Sequence, residues 1–384
     1  MALNTLPNAG LTNRGYPSDR LVTPLIINGD FTVAQRATSA TGLTNGSSPY
    51  QTVDRWQFNE SGAPSYQFTM SQSTTTPTGQ GFGYSTKFDC TTAQGSLAAA
   101  DFLAFRTALE GQNLQSIKKG TANAESLTLS FWVRSNKTGV YTIFLNETDN
   151  NRQNTQTYTI DSANTWEKKV ISFVPDTTGV ITNDNGSSLY LHFILAAGST
   201  YSSGTFTSNT WAATTQANRV PNTQVNIADS TSNEWYVTGV QLEVGEFDST
   251  SIPSFPFESF ENNLSKCQRY YKEIIRSLGS DTQIAPGTMY TSTDFYGVLF
   301  LGAGPMRSAP TLTASTGSNI YGITGDANSQ AASSLTFAQI TNGASPNTRV
   351  HVGSVGSKNQ GHGQWVRFES ASSTSDFISA DAEL

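Results

Sequence analysis

Ser126-Leu127-Thr128-Leu129-Ser130-Phe131-Trp132-Val133, followed within a few residues by Val140-Tyr141-Thr142-Ile143-Phe144-Leu145, is the stretch on which the fold class turns. Both runs are short, rich in Thr, β-branched and aromatic side chains, and joined by a polar turn, which is how neighbouring antiparallel strands read. The same design recurs on either side. Leu25-Ile26-Ile27 leads into Asn28-Gly29-Asp30-Phe31, and Arg55-Trp56-Gln57-Phe58 alternates with period two. Val170-Ile171-Ser172-Phe173-Val174, Leu189 to Leu195 and Trp235 to Leu242 continue the series. Strands at such intervals predict a two-sheet antiparallel sandwich over residues 25–250, and its size favours an elaborated jelly roll. Leu97 to Ile117 reads either as a short helix or as a strand plus loop.

Composition agrees with an all-β protein. Of 384 residues, 36% are hydrophobic and only 13% charged, yet 21 Phe, 14 Tyr and 6 Trp supply apolar surface that disordered chains lack. The net charge of −7 offers no basic footprint for nucleic acid or anionic lipid. No segment approaches the roughly 20 apolar residues of a bilayer span, and the first residues carry neither a basic start nor an apolar run, so neither membrane insertion nor a secretory signal is expected. Cys90 and Cys267 are expected as reduced thiols, consistent with synthesis in a reducing cytosol.

Four segments follow. Residues 1–24 hold three prolines and no sustained periodicity, and are expected to be an extended arm. After the sandwich, Phe257, Phe260, Leu264, Cys267, Tyr271, Ile274 and Leu278 are spaced by 3, 4, 3, 4, 3 and 4 residues, a heptad seam that predicts one helix within a 251–280 linker, capped by Ser259 and stopped by Gly279. That seam would lie on a sheet of its own chain or pair with copies from other chains, which makes these seven residues oligomerisation candidates. Residues 281–384 return to strand patterns, including Phe295 to Leu301 and Trp365-Val366-Arg367-Phe368, and predict a small C-terminal β domain.

A resemblance enters at Gly239-Val240-Gln241-Leu242-Glu243-Val244-Gly245, a proline-containing link through Phe255-Pro256-Phe257, and Cys267-Gln268-Arg269-Tyr270-Tyr271. This succession resembles a segment of tail-fibre and related virion proteins of tailed bacteriophages. Gln35-Arg36, Asp54-Arg55-Trp56 and Leu129 to Ser135 resemble the first half of the carbohydrate-binding-module-like jelly rolls of these fibres. Met306-Arg307-Ser308-Ala309-Pro310 and Ala380-Asp381-Ala382-Glu383-Leu384 resemble their small C-terminal domain. The resemblance implies a homotrimeric, non-enzymatic virion protein made in the host cytoplasm. Its arm would dock to phage tail or adaptor proteins and its β domains would bind host-surface glycan. A neck, collar or capsid-surface protein with no receptor role, and a polysaccharide-degrading fibre, are the alternatives.

No catalytic constellation is legible. His192 sits in an apolar strand, where a histidine is more often a hydrogen-bonded structural residue than a base. His351 and His362 have no close-spaced ligand partners. Asp149-Asn150-Asn151 and Asp184-Asn185-Gly186 would suit a structural calcium but read better as turns, so no cofactor is assigned. Sugars need flat aromatic faces beside hydrogen-bonding groups. Tyr201, Phe206 and Trp211 in the long polar stretch 198–222, and His351, His362 and Trp365 around the glycine-rich stretch 350–363, are the ligand-binding candidates. The competing reading, which is favoured, has Trp211 tuck inward to staple its loop, while Trp56, Trp132 and Trp235 are expected in the core.

Overall fold

The structure, a computed structural model, describes residues 24–278, 282–302, 304–325, 330–338, 340, 343–353, 355–356, 358–369, 372–373 and 375–384. The arm expected at 1–24 and the helix stop expected at Gly279 fall outside them, Pro24 apart. Contacts divide the chain into two units. The first comprises residues up to Phe31, Thr41–Ser47 and Phe58–Glu258; the second comprises Thr32–Ala40, Ser48–Gln57 and Ser259–Leu384. The segment read as one linker and helix is thus split after Glu258.

The strands up to residue 244 are β1 (Ser39–Leu43), β2 (Trp56–Ser61), β3 (Gln67–Ser73), β4 (Ser85–Thr92), β5 (Phe102–Glu110) and β6 (Leu127–Ser135). They continue with β7 (Gly139–Glu147), β8 (Arg152–Ile160), β9 (Glu167–Phe173), β10 (Ser187–Ala197), β11 (Ala212–Ala213) and β12 (Glu234–Val244). They form two six-stranded sheets, ordered β1-β3-β4-β12-β6-β9 and β11-β8-β7-β10-β5-β2, an antiparallel jelly-roll sandwich. The ambiguous stretch 97–117 is strand β5 followed by a 3-10 turn, Gly111–Ile117. Alternation sends Phe88, Phe105, Phe131, Phe193 and Trp235 from five strands into the space between the sheets. There Trp235 lies 5.6 to 6.2 Å, centroid to centroid, from Phe88, Phe105 and Phe193. Trp56 and Trp235 are fully buried, as expected. Trp132 is not: it points to the outer face and is half-buried.

The second unit contains α1 (Phe260–Gln268) and the strands β13 (Tyr271–Arg276), β14 (Gln283–Met289), β15 (Phe295–Phe300), β16 (Thr311–Ala314) and β17 (Tyr321–Thr324). It ends with β18 (Gln330–Ala332), β19 (Thr336–Phe337), β20 (Asn347–Val352), β21 (Gly363–Phe368) and β22 (Phe377–Asp381). These give a three-stranded sheet, β13-β22-β16, and a seven-stranded sheet, β18-β17-β21-β14-β15-β20-β19. The core between them is built from Phe295, Leu299, Tyr321, Val350, Val366, Phe368 and Ile378.

The heptad reading is corrected here. Ser259 caps α1 as expected, its side chain accepting from the Asn262 amide, but the helix spans only Phe260–Gln268. Tyr271 and Ile274 belong to strand β13, paired with β22, and Leu278 is 86% exposed. Phe257 and Phe260 are also exposed, Leu264 is half-buried and Cys267 is buried, so the seven residues share no face. Tyr271 and the Ile274-Ile275 pair favour extended backbone, and pairing with β22 outweighs the apolar spacing.

Several of the motifs that carried the resemblance meet inside this second unit, whereas Gly239–Gly245 and Leu129–Ser135 lie in the first. Arg55, 2% exposed, pairs with Glu383, and its guanidinium lies 3.4 Å from the Tyr270 ring centroid. Arg36 bonds Asp381 at 3.0 Å and lies 3.6 Å from the Tyr271 centroid. Arg307 donates to the carbonyls of Ala382 and Glu383, and the Tyr50 hydroxyl to that of Leu384. Gln35-Arg36 and Asp54-Arg55, read as jelly-roll residues, are thus components of the C-terminal unit.

Candidate functional site

The seven-stranded sheet buries one face and exposes the other. In β15, Phe295 and Leu299 point into the core, so Tyr296, Val298 and Phe300 point out. In β21, Gln364, Val366 and Phe368 are buried, so Trp365 points out. Register then assembles two cross-strand rows. Trp365 is opposite Pro286, and Val298 is opposite Arg349; Thr288 is opposite Tyr296, and Tyr296 is opposite His351. The inner face needs two glycines beneath this platform: Gly287 and Gly297 are paired, and a Cβ on either would meet the Phe295 ring at 2.6 to 2.9 Å.

Several side chains on this face are unusually accessible. Trp365 is 47% exposed, Val298 44%, Phe300 65% and Tyr290, at the end of β14, 66%. Large apolar groups gathered on one surface mark interaction sites. The aromatic rings are held by polar neighbours. The His351 imidazole stacks on Tyr296 at 4.7 Å, with its two nitrogens 3.1 Å from Thr336 Oγ1 and 3.2 Å from Asp294 Oδ1. Tyr290 meets Tyr296 edge-on at 5.2 Å, and the Arg349 guanidinium lies 4.8 Å from the Tyr296 centroid. Hydrogen bonds from Thr291 and then from His351 hold the Asp294 carboxyl below its ordinary range. An open depression of about 590 Å³, lined by Pro310, Leu312, Leu335 and Phe337 among others, borders the platform at Thr336. Flat rings with fixed donors and acceptors at their rims can stack on a sugar ring and hydrogen-bond its hydroxyls.

Of the sequence candidates, His351 and Trp365 lie on this platform. His362 is exposed in the turn just before β21, its carbonyl accepting from the Met289 amide. The jelly-roll candidates do not converge. Tyr201 is buried, hydrogen-bonded to Ser61 and packed on Phe102 at 4.8 Å. Phe206 is half-buried. Trp211 donates its indole N–H to the Val174 carbonyl and staples its loop. The sequence reading passed over Tyr290, Tyr296, Arg349 and Phe300. In Phe295-Tyr296-Gly297-Val298-Leu299-Phe300 both parities are apolar, so alternation cannot tell the exposed face from the core face.

No group of three or more His, Cys, Asp or Glu among the described residues is arranged to hold a metal. Asp149 and Asp184 accept backbone N–H groups of Thr182 and Gly186, as loop residues do. The oxygen-rich position in the first unit is filled by a side chain. The buried Lys119 ammonium lies 2.8 to 3.2 Å from the carbonyls of Thr178 and Gly179 and the carboxylates of Glu147 and Asp176. Both cysteines are buried and neither is in a disulfide, and burial pushes the Cys90 thiol up to about 11. No helix among the described residues is long and apolar enough to cross a membrane.

No protein-family model and no curated protein matches the chain. Among solved structures it is similar to the enzymatically active domain of tailspike protein 4 of bacteriophage CBA120, at 11% identity, covering 53% of this chain and 21% of that one, with a TM-score of 0.28. It is similar to the family 11 carbohydrate-binding module of the cellulosomal cellulase Lic26A-Cel5E of Clostridium thermocellum, at 11% identity over 56% of this chain and 98% of the module, TM-score 0.27. A third is the botulinum neurotoxin serotype D/C binding domain, at 10% identity over 85% and 94% of the two chains, TM-score 0.25. At these scores the likenesses are partial overlaps of strands and assign no function.

Proposed function

We propose that this protein is a non-enzymatic glycan-binding structural protein, and that the exposed face of β14, β15, β20 and β21 is its sugar platform. The observation that carries the reading is the joint exposure of Trp365, Tyr290 and Phe300 beside an imidazole fixed at both nitrogens. Such a surface costs solvation unless something stacks on it, and a pyranose ring offers a flat C–H face with hydroxyls at its edge. The resemblance of the GVQLEVG and CQRYY segments to phage fibre proteins supports placing it on a virion. There it would be anchored through its N-terminal region to tail or adaptor proteins and would meet host-surface glycan as a homotrimer.

A glycan array with the intact chain tests the platform. Trp365→Ala is expected to weaken binding of the array hit at least about tenfold, roughly 1.4 kcal/mol, without changing the melting temperature. Unchanged glycan binding, or a variant that changes only the oligomeric state, would show that this face packs against protein.

A further inference from the structure

The outer face of the second jelly-roll sheet holds a cluster that the platform reading does not use. In β10, Leu191 and Phe193 face the core, which leaves Tyr190, His192 and Ile194 on the other side. Register places His192 between Arg106 of β5 and Phe144 of β7, and Ile194 between Ala104 and Thr142. The chain segment after β10 folds over this face and lays Tyr201 and Val220 on Phe102, Ala104, Phe144 and Ile194.

Arg219 lies under that cover. Its guanidinium sits 4.7 Å from the Phe144 ring centroid, 5.2 Å from Tyr201 and 5.5 Å from Phe102. Among the described residues its buried Nε has no hydrogen-bond partner and no carboxylate pairs with it. Two further buried polar atoms on this face, Thr142 Oγ1 and Gln224 Oε1, also have none there, although Gln224 Nε2 donates to the Ile194 carbonyl. Buried polar atoms without partners signal a missing ligand or water. The local charge is positive in a chain whose net charge is −7. Burial, and the like charge of Arg106, hold the Arg219 pKa below its ordinary value, while burial followed by Arg106 and Arg219 pushes His192 well below its own. His192 is therefore neutral at pH 7 and adds no further positive charge.

We propose that the Arg219 face is an anion site that takes a carboxylate, the planar group that a guanidinium binds through paired N–H bonds. The carboxylate can be carried by a sugar, as in a uronic acid. A free carboxylate has the same chemistry. The site lies in the first unit and does not depend on the platform.

Calorimetry on the intact chain with glucuronate, glucose and acetate separates these sources, with melting temperature followed in the same anions. Binding or thermal stabilisation by glucuronate, with none by glucose and at least tenfold less by acetate, supports an acidic-sugar site. Equal effects of glucuronate and acetate support a free-carboxylate site. Arg219→Lys, which keeps the charge but loses the fork, is expected to weaken either at least tenfold. If none of the three ligands binds or shifts the wild-type melting temperature, or if Arg219→Lys binds as wild type does, the proposal is overturned. The wild-type arm decides the matter even if Arg219 variants fold poorly.

Discussion

Lys119 shows how one side chain substitutes for an ion. Gly120, at φ +82°, turns the chain so closely past Gly179 that a Cβ would come within 2.6 Å of its carbonyl carbon, and this brings Lys119 among four oxygens. Carboxylates and carbonyls in this combination are what Ca²⁺ takes, and here the ammonium, together with Arg152 on Asp176, neutralises them. We expect the melting temperature to be unmoved by EDTA, and Lys119→Ala to cost about 3–5 kcal/mol by leaving Glu147 buried without its charge partner. A clear drop with EDTA would place a stabilising metal in the protein. Glu60 gives a pH signature. Burial first, and then the charge of Asp101, pushes its carboxyl up to about 7. The unfolded chain releases that proton near its ordinary value, about 4.3. Its stabilising effect is therefore full below that value and lost as pH rises through about 7. The melting temperature of Glu60→Gln relative to wild type should rise between pH 5 and pH 8; a constant difference would refute this.

Among the elements, α1 and β13 show local patterning outvoted by pairing. The 3–4 spacing from Phe257 to Leu278 is genuine, yet only nine residues become helix, because Tyr271–Arg276 gains a ladder against β22, bulged at Ile274. That strand holds the motif residues in place: Tyr270 and Tyr271 each present a ring to an arginine, and Glu383, just past β22, receives Arg55. The recurring motif residues are thus structural, joining three segments far apart in sequence. Arg55→Ala is expected to destabilise the second unit by about 1–3 kcal/mol, since it leaves the buried Glu383 carboxylate only its 3.4 Å contact with Arg36. Urea unfolding followed by tryptophan fluorescence measures it, and a loss below about 1 kcal/mol would mean the pair contributes little. The platform, on β14, β15, β20 and β21, should then lose sugar binding only where the unit itself unfolds.

For the whole molecule, the homotrimer rests on the resemblance alone, and α1 is too short to join copies by a heptad seam. If three copies assemble, contacts outside α1 must hold them; native mass measurement at micromolar concentration is expected to give three chain masses, and a stable monomer would remove the trimer. The sequence by itself determined the all-β class, the sandwich and the capped start of α1. Each follows from local alternation, turn chemistry or composition, which neighbouring residues settle among themselves. It also singled out Trp365 and His351. Only the tertiary structure decided which parity of β15 faces solvent, because a strand apolar on both sides carries no preference until a core claims one of them. It alone brought Arg36, Arg55, Tyr270 and Glu383 together, and Arg219 onto the rings of Phe102, Phe144 and Tyr201. Such juxtapositions depend on strand register and chain crossing, which no periodicity along the chain records.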